Sequence, residues 1–365
     1  MSIPIETIWA IEPHTLAKHE ILKRYLGAWF AILGSSFRRI LYLDAFCGPG
    51  RYSGDEVGSP IIALREALKQ SSGRLDGIDV DFVFLDERAD RIQHLQNELK
   101  SFATIPPNFH LIPQTGQSET EIKELLDNLR ARNLQLSPTF AFIDPFGFKG
   151  VPFSLVERLL KNPNTEVFVN VMVDSINRFL EHPDDVTRQH IVDLFGTPKA
   201  LEIAQKSPNR ITDLRLLYQQ RLQTCAKFVR YFEMRNDSNR PIYYLFFASN
   251  HPLGHVKMKE AFWKVDKSSG FCFSDATDPS QPVLFELDET PKLARQIKTV
   301  FEKQRLEVCM IQSYVENQTS FLCTHMKSAL RILEETKQIK VEEVKSDGKK
   351  RHGKSFPENV IVQFG

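Results

Sequence analysis

The sequence predicts an α/β fold built on a parallel sheet, followed by a small C-terminal domain of a different kind. Apolar runs of strand length alternate with amphipathic helices through the first 175 residues, which is typical of a parallel sheet with helical crossovers. After residue 290 the pattern changes to three helices and two strands around a basic tip. Because 365 residues also exceed one small core, we expect two domains, at 1–290 and 291–365.

The elements of the first domain follow from hydrophobic periodicity and turn residues. The predicted parallel strands cover residues 39–44, 81–86, 108–112, 139–144 and 165–173. The helices that precede and connect them cover residues 14–33, 61–70, 89–100, 119–131 and 152–160, and residues 174–222 are helical and polar. Two further strands, 228–234 and 242–248, flank a turn-rich spacer and therefore predict an antiparallel hairpin, which a helix at 258–265 follows.

In the second domain, the pattern predicts helices at 293–304, 310–316 and 324–336 and strands at 339–344 and 359–364. Three helices followed by a two-stranded wing is the winged-helix pattern. The presumed wing tip collects basic side chains, Lys345, Lys349, Lys350, Arg351 and Lys354, together with His352. A basic wing beside a helix at 324–336 is typical of duplex binding, and a protein docking module is the alternative.

Composition narrows the class of protein. A hydrophobic fraction of 42% and a net charge of +1 are those of an ordinary globular protein, so any basic surface must be local. The five cysteines show no CxxC spacing, which argues against a disulfide framework and a zinc site. With neither a signal peptide nor an apolar run of membrane-spanning length in the sequence, we expect a cytoplasmic protein with no membrane partner and no metal.

The stretch 41–50, LYLDAFCGPG, predicts a cofactor-binding loop after the first strand. Asp44 ends the strand, and Gly48 and Gly50 allow the backbone to approach a ligand, with Phe46 in the same loop. The glycines do not form G-x-G-x-x-G, which disfavours a dinucleotide and favours S-adenosylmethionine (SAM). A tight turn that binds no ligand is the alternative.

The ends of the second and third strands supply the other predicted cofactor residues. Asp86 ends the second strand, where an acid can accept hydrogen bonds from both ribose hydroxyls. Gln117 follows the third strand and is expected near the adenine ring, although a helix cap explains the Gln117-Ser118 pair equally well. Asn170, within the fifth strand, serves either a substrate or buried backbone, and the sequence does not decide between them.

The fourth strand ends in Asp144-Pro145-Phe146-Gly147, which similarly reaches the carboxyl edge of the sheet. It resembles the D-P-P-[YF] signature of methyltransferases that act on exocyclic amines of bases. The resemblance implies that Asp144 and the Pro145 carbonyl accept amino hydrogens while Phe146 stacks on the base. Because Phe146 replaces the second proline, Phe148 is an alternative stacking ring, and a β-turn with an Asp cap is the non-functional alternative.

Taken together, the motifs HTLAKHEILKRYLGAW, LDAFCGPGRY, GSP, FIDPFG and SNHPLG and the C-terminal pattern resemble the three-Cys-motif partner proteins (TcmP). That resemblance implies a Rossmann-like class I methyltransferase fold with a winged helix, and a radical-SAM-like three-Cys-motif protein as partner. Residue by residue, it implies cofactor roles for Asp44, Gly48 and Gly50 and a base-amine site at 144–146.

We therefore expect a SAM-dependent methyltransferase that modifies an amine of a nucleic-acid base, with the winged helix docking DNA, RNA or a partner. Two alternatives remain. One is a winged-helix adaptor that does not catalyse and that partners another enzyme. The other is a methyltransferase that acts on a small molecule or a protein.

Overall fold

The computed structural model describes residues 5–147, 150–276 and 289–365. These residues form two compact units, one of 5–261 with 272–276 and one of 262–271 with 289–365. Since residues 277–288 lie outside the described residues, the predicted boundary after residue 290 stays a prediction.

Within the described residues, the first unit has an eight-stranded sheet. In chain order its strands are β1 Arg39–Asp44, β2 Asp79–Asp86, β3 Phe109–Thr115, β4 Thr139–Ile143, β5 Thr165–Val171, β6 Phe228–Arg235, β7 Pro241–Ser249 and β8 Cys272–Ser274. The helices are α1 Pro13–Gly34, α2 Ser59–Leu68, α3 Ala89–Lys100, α4 Ser118–Ala131, α5 Phe153–Leu160, α6 Val173–Phe179, α7 Asp185–Phe195, α8 Lys199–Lys206, α9 Arg210–Gln223 and α10 Pro252–Val265, whose last four residues belong to the second unit. Among the helices described in either unit, none combines the length and the apolarity needed to cross a membrane.

The strand order is β3-β2-β1-β4-β5-β7-β6-β8, and the first five of these strands are parallel. Strand β7 runs antiparallel to both β5 and β6, which is the hairpin that the sequence predicts. The predicted fold class is therefore confirmed as an α/β fold with a large, mostly parallel Rossmann-like sheet that contains an antiparallel hairpin. The order reverses between β1 and β4, and ligands of such sheets bind outside the carboxyl ends of the strands at this point.

The central strands are buried on both faces. Every residue of β4 and β5 is buried, as are residues 40–44 of β1. Helices on both sides of a parallel sheet produce this burial, which explains why these strands read as nearly continuous apolar runs. Asp44 and Asn170 are polar exceptions in this layer, and both lie toward the carboxyl ends of their strands.

Strand β8 is an element that the sequence did not predict. It has three residues and pairs in parallel with β6 at the edge of the sheet. It lies in a stretch rich in Ser and Asp for which no strand is predicted, and three residues are too few to show a period of two. Its position brings the adjacent Asp275 to α1, where Oδ2 of Asp275 lies 2.7 Å from Nδ1 of His14.

The second unit contains three helices and a three-stranded antiparallel sheet in its described residues. In chain order these elements are α11 Thr290–Val300, β9 Arg305–Glu307, α12 Val308–Gln318, α13 Cys323–Glu335, β10 Ile339–Val341 and β11 Ile361–Phe364. The strand order is β10-β11-β9. The predicted helices and both predicted strands are present with shifted ends, whereas β9 is too short to have been predicted. Trp263, from the end of α10, packs into the core of this unit.

The segment 342–360 between β10 and β11 contains the predicted basic tip, and Arg351 requires a correction. Arg351 is only 4% exposed, and its guanidinium donates two hydrogen bonds to Glu334, at 2.7 and 2.9 Å. Its Nε also donates to the Ser355 carbonyl at 2.7 Å. Arg351 therefore anchors the segment to α13 and is not part of the exposed basic surface, to which Lys349 and Lys350 contribute.

Candidate functional site

The loop after β1 is held in place by Asp44, which is fully buried. Its carboxylate accepts hydrogen bonds from the Tyr42 hydroxyl at 3.2 Å and from the Phe46 N–H at 3.4 Å. Burial raises the pKa of Asp44 to about 7, even though a hydrogen bond from Ser59 and the Phe46 N–H act in the opposite direction. Asp44 thus holds the loop from its buried side, through the Phe46 N–H.

Both predicted loop glycines have the left-handed backbone that favours glycine, with φ of +62° at Gly48 and +82° at Gly50. A Cβ atom on Gly50 would lie 2.7 Å from Cδ1 of Leu95, so a side chain there would require Leu95 to move as well as a strained backbone. The nearest atom to a Cβ on Gly48 belongs to the Trp9 ring, at 3.7 Å. The Trp9 ring therefore lies beside this part of the loop.

Asp86, at the end of β2, is 5% exposed and binds the same loop. Its carboxylate accepts hydrogen bonds from the backbone N–H groups of Arg88 at 2.9 Å and Gly48 at 3.2 Å, and it lies 3.7 Å from the Arg91 guanidinium. Burial raises its pKa, against the effect of these N–H donors and of Arg91. The neighbouring Glu87 is exposed, so it is the carboxylate at this strand end with the greater freedom to bind a ligand.

A first cavity of about 360 Å³ lies at the carboxyl ends of the parallel strands. It is lined by Phe46, Asp86, Glu87, Arg91, Gln117, Ser118, Glu119, Phe146, Gly150, Val151, Pro152, His190, Asp193 and Leu194. It therefore brings together three of the predicted cofactor residues, Phe46, Asp86 and Gln117. The other three, Asp44, Gly48 and Gly50, lie beneath or beside it and are absent from its described lining.

A second cavity, of about 260 Å³, contains all three predicted catalytic residues, Asp144, Pro145 and Phe146. Its remaining lining residues are Trp9, Ala10, Glu12, His14, Thr15, Lys18, Tyr52, Gly147, Asn170, Met172 and Tyr243. Four aromatic rings thus surround a polar base. Phe148, the alternative stacking ring, lies outside the described residues.

The polar base of the second cavity is a network centred on Asp144. Oδ2 of Asp144 accepts a hydrogen bond from the buried ammonium group of Lys18, and Oδ1 accepts one from Nδ2 of Asn170 at 2.8 Å. The sequence did not identify Lys18 as a site residue. Its only signal was a lysine among apolar positions of the first helix, and the contact between residues 18 and 144 depends on tertiary packing.

A wall of three side chains separates the two cavities. The Trp9 and Phe146 rings meet edge to face, with centroids 5.6 Å apart. The Arg91 guanidinium lies 4.8 Å from the Trp9 centroid and 5.4 Å from the Phe146 centroid, which is within cation–π range. Because Phe146 lines both cavities, they adjoin at a single ring.

The residues of the first cavity fit SAM. Its volume falls within the roughly 300–1,000 Å³ that is usual for small-molecule sites. The exposed carboxylate of Glu87 suits ribose hydroxyls, and the rings of Phe46 and Phe146 offer apolar surfaces for adenine. When bound, SAM would supply a methyl group that its sulfonium already activates.

Two solved structures show a weak likeness to this chain. No family model matches the chain, and no curated protein matches it. Among solved structures, protein LPL1258 from Legionella pneumophila str. Philadelphia 1 is 11% identical with a TM-score of 0.39, and the match covers 64% of this chain and 85% of that chain. Trm1 from Pyrococcus horikoshii, solved in complex with SAM, is 12% identical with a TM-score of 0.36. That match covers 72% of this chain and 62% of Trm1, and neither likeness is close enough to carry an argument about function.

Proposed function

We propose that this chain is a SAM-dependent methyltransferase that acts on an amine of a nucleic-acid base. The observation that carries the proposal is the shared wall at Phe146: a cavity suited to the cofactor adjoins a cavity with a polar base and aromatic walls. Methyl transfer requires this adjacency, because the activated methyl group and its acceptor must meet in line. Both cavities lie where a sheet of this class binds its ligands.

The second cavity suits a planar acceptor that carries an amine. Phe146 and Tyr52, which are both partly exposed, offer ring surfaces on which a base can stack. Oxygen atoms of Asp144 and Asn170 at the strand ends accept hydrogen bonds, as an amino group requires. Since the cofactor supplies the activation, the work left to these residues is to position the amine.

We propose that the second unit docks the nucleic acid as a winged helix. Helix α13 exposes Lys327 and Arg331, and the wing segment exposes Lys349, Lys350 and Lys354. Cations on a helix and an adjoining wing can bind phosphates of a duplex. Three members of this set have acidic neighbours: Lys354 lies 3.6 Å from Glu335, Arg331 lies near Glu334, and Lys349 lies near Asp347. The proposal agrees with the resemblance to the three-Cys-motif partner proteins, which rests on sequence motifs alone.

The test is transfer of labelled methyl from SAM into separate DNA, RNA and protein fractions, with SAM binding measured by calorimetry on the same samples. We expect label in one nucleic-acid fraction. Asp144→Asn keeps the shape of the side chain but removes the charge that balances Lys18, so it should lower transfer at least tenfold while SAM still binds. Asp185→Asn, at a side chain that is 97% exposed, is the matched control.

A protein that binds no SAM would refute the proposal. SAM binding with label only in protein, or in none of the fractions, would refute the assignment to a base. In that case, small-molecule acceptors would be tested next.

A second candidate is the adaptor that binds a radical-SAM-like three-Cys-motif protein and does not catalyse. The network at the site favours it, since Asp144 is bound to Lys18 and Asn170, and Asp86 is bound to loop N–H groups. Trp9 and Arg91 also fill the space between the two cavities. Absence of SAM binding, together with a stable complex with the partner protein, would favour the adaptor.

A further inference from the structure

Asn170, in β5, has an amide whose orientation is determined by its neighbour. The side chain is 3% exposed and lines the second cavity. A carboxylate can only accept hydrogen bonds, so the amide atom that faces Oδ1 of Asp144 at 2.8 Å must be the nitrogen. The oxygen, Oδ1, is therefore the atom that faces away from Asp144.

Oδ1 of Asn170 is buried and has no hydrogen-bond partner among the described residues. Buried polar atoms in folded proteins are nearly always paired, and leaving one unpaired destabilises the protein. The carboxylate beside it differs, because Oδ2 of Asp144 is occupied by Lys18 and Oδ1 by Asn170 itself. At the ends of β4 and β5, the buried acceptor that still lacks a donor is thus the amide oxygen of Asn170, whereas each oxygen of Asp144 already accepts one hydrogen bond.

We propose that Oδ1 of Asn170 accepts a hydrogen of the acceptor's exocyclic amino group and thereby restricts the second cavity to bases that carry one. This inference rests on the proposed methyltransferase function and deepens it. Asp144 and Lys18 become positioning residues, because they hold the amide in the orientation that leaves its oxygen facing away from Asp144 and without a partner. The assignment differs from the one that the Asp-Pro-Phe motif implies, in which Asp144 itself binds the amine.

The chemistry of this oxygen separates the bases into two classes. Cytosine and adenine carry an amino group where uracil and hypoxanthine carry a carbonyl. A carbonyl oxygen facing Oδ1 of Asn170 would bring two acceptors together, so both would lose their hydrogen bonds. Sites that leave a buried polar group unpaired with the wrong ligand discriminate strongly. The cavity of about 260 Å³ is below the usual range for drug-sized ligands, which suits one planar base rather than a whole nucleotide.

The test compares ligands that differ only in this group. Calorimetry of the full-length protein, saturated with S-adenosylhomocysteine, would measure binding of cytidine against uridine and of adenosine against inosine. We expect the wild type to favour the amino member of a pair by about 10- to 100-fold. Asn170→Leu, which keeps the size but has no acceptor, should reduce this preference to less than twofold, mainly by weakening binding of the amino ligand.

Two further variants make the result interpretable. Asn170→Ser is smaller and should fold even if leucine is not accommodated, and it should also lose most of the preference. Asn108→Leu is the matched control: it removes a partly buried amide that binds the carbonyls of Leu75 and Ile78, away from both cavities. It should retain the wild-type preference.

The inference is overturned if the wild type shows no preference, or if Asn170→Leu and Asn170→Ser retain it while methyl transfer to an amine is observed. Methyl transfer by Asn170→Leu should show a raised KM for amino-bearing substrates, which a merely structural role would not produce selectively. If the wild type neither binds SAM nor transfers methyl, the proposed function itself has failed, and this inference fails with it.

Discussion

At the scale of single residues, the cofactor loop depends on groups that do not reach its ligand side. Asp44 is buried below the loop, and its raised pKa reflects the cost of keeping a carboxylate away from water. Gly50 has a left-handed backbone that favours glycine, and a Cβ there would require Leu95 to move. These two residues therefore determine the shape of the loop, whereas Phe46 and Glu87 line the cavity.

Replacing Asp44 by Asn should change how stability depends on pH. The pKa of Asp44 is about 7 in the folded protein and near 3.8 without burial, so between these values the folded state binds more protons than the unfolded state. The free energy of unfolding of the wild type therefore falls as pH rises through this window. Asn does not titrate, so between pH 4.5 and 8.5 we expect the stability of Asp44→Asn relative to the wild type to rise by on the order of 3 kcal/mol.

Urea unfolding of both proteins from pH 4.5 to 8.5 would measure this difference. Glu166, whose pKa burial also raises to about 7, is present in both proteins and cancels in the comparison. Parallel stability curves for the two proteins would contradict the assignment of a buried, titrating Asp44. If Asp44 serves the cofactor as the sequence predicts, the same variant should bind SAM more weakly.

At the scale of elements, two neighbouring cations in the segment 342–360 between β10 and β11 have different roles. Arg351 is buried against α13 and holds Glu334, whose pKa it lowers, whereas Lys350 is exposed. Arg351→Ala would leave Glu334 without its partner and should destabilise the second unit by about 2–3 kcal/mol. Lys350→Ala should leave stability unchanged and weaken nucleic-acid binding, with the salt dependence of log K reduced by about one phosphate contact.

Thermal unfolding and binding at several salt concentrations would separate the two effects in this adjacent pair. A stable Arg351→Ala variant would contradict the anchoring role of Arg351. Unchanged binding and salt dependence in Lys350→Ala would argue against contact between the wing and nucleic acid.

The elements that the sequence predicted are those with a clear period. The strands β1, β4 and β5 were predicted because burial on both faces makes them apolar runs, and the hairpin because a turn-rich spacer separates two apolar runs. Strands β8 and β9 have three residues each, which is too short for a hydrophobic period to identify them. They are recognised as strands only in the structure, where they pair with neighbouring strands. The burial of Arg351 could not be predicted from the sequence either, because it depends on an ion pair with Glu334, 17 residues away.

The candidate site was also predicted only in the part that does not depend on tertiary packing. The sequence identified the strand-end residues, because carboxyl ends of parallel strands converge whatever the details of packing. It did not identify Trp9, Lys18 or Arg91, which approach the site from helices and from the N-terminal segment. The positions of these residues depend on how a helix or the N-terminal segment packs against the sheet. Hydrophobic periodicity does not predict this packing.

At the scale of the whole molecule, the second unit includes a part of the chain that precedes the predicted boundary. Trp263 packs in the core of that unit, and its Nε1–H donates to the Ser320 carbonyl at 2.6 Å. A fragment of residues 262–365 should therefore unfold cooperatively. A fragment of residues 291–365 should be less stable by about 3–5 kcal/mol, as for loss of a core tryptophan.

Thermal unfolding of the two fragments by circular dichroism would measure the difference, and Trp263→Ala in the longer fragment is the control. Equal stability of the two fragments would show that the predicted boundary, rather than the division at residue 262, delimits the domain.

The position of Trp9 has a spectroscopic consequence. The chain has three tryptophans: Trp9 lies in the wall between the cavities, Trp29 in the core of the first unit and Trp263 in the core of the second. Indole fluorescence depends on nearby charge and solvent, so the Arg91 guanidinium 4.8 Å from the Trp9 ring makes Trp9 emission sensitive to any ligand that moves either side chain. A variant that retains Trp9 alone would therefore report ligand entry without an added label.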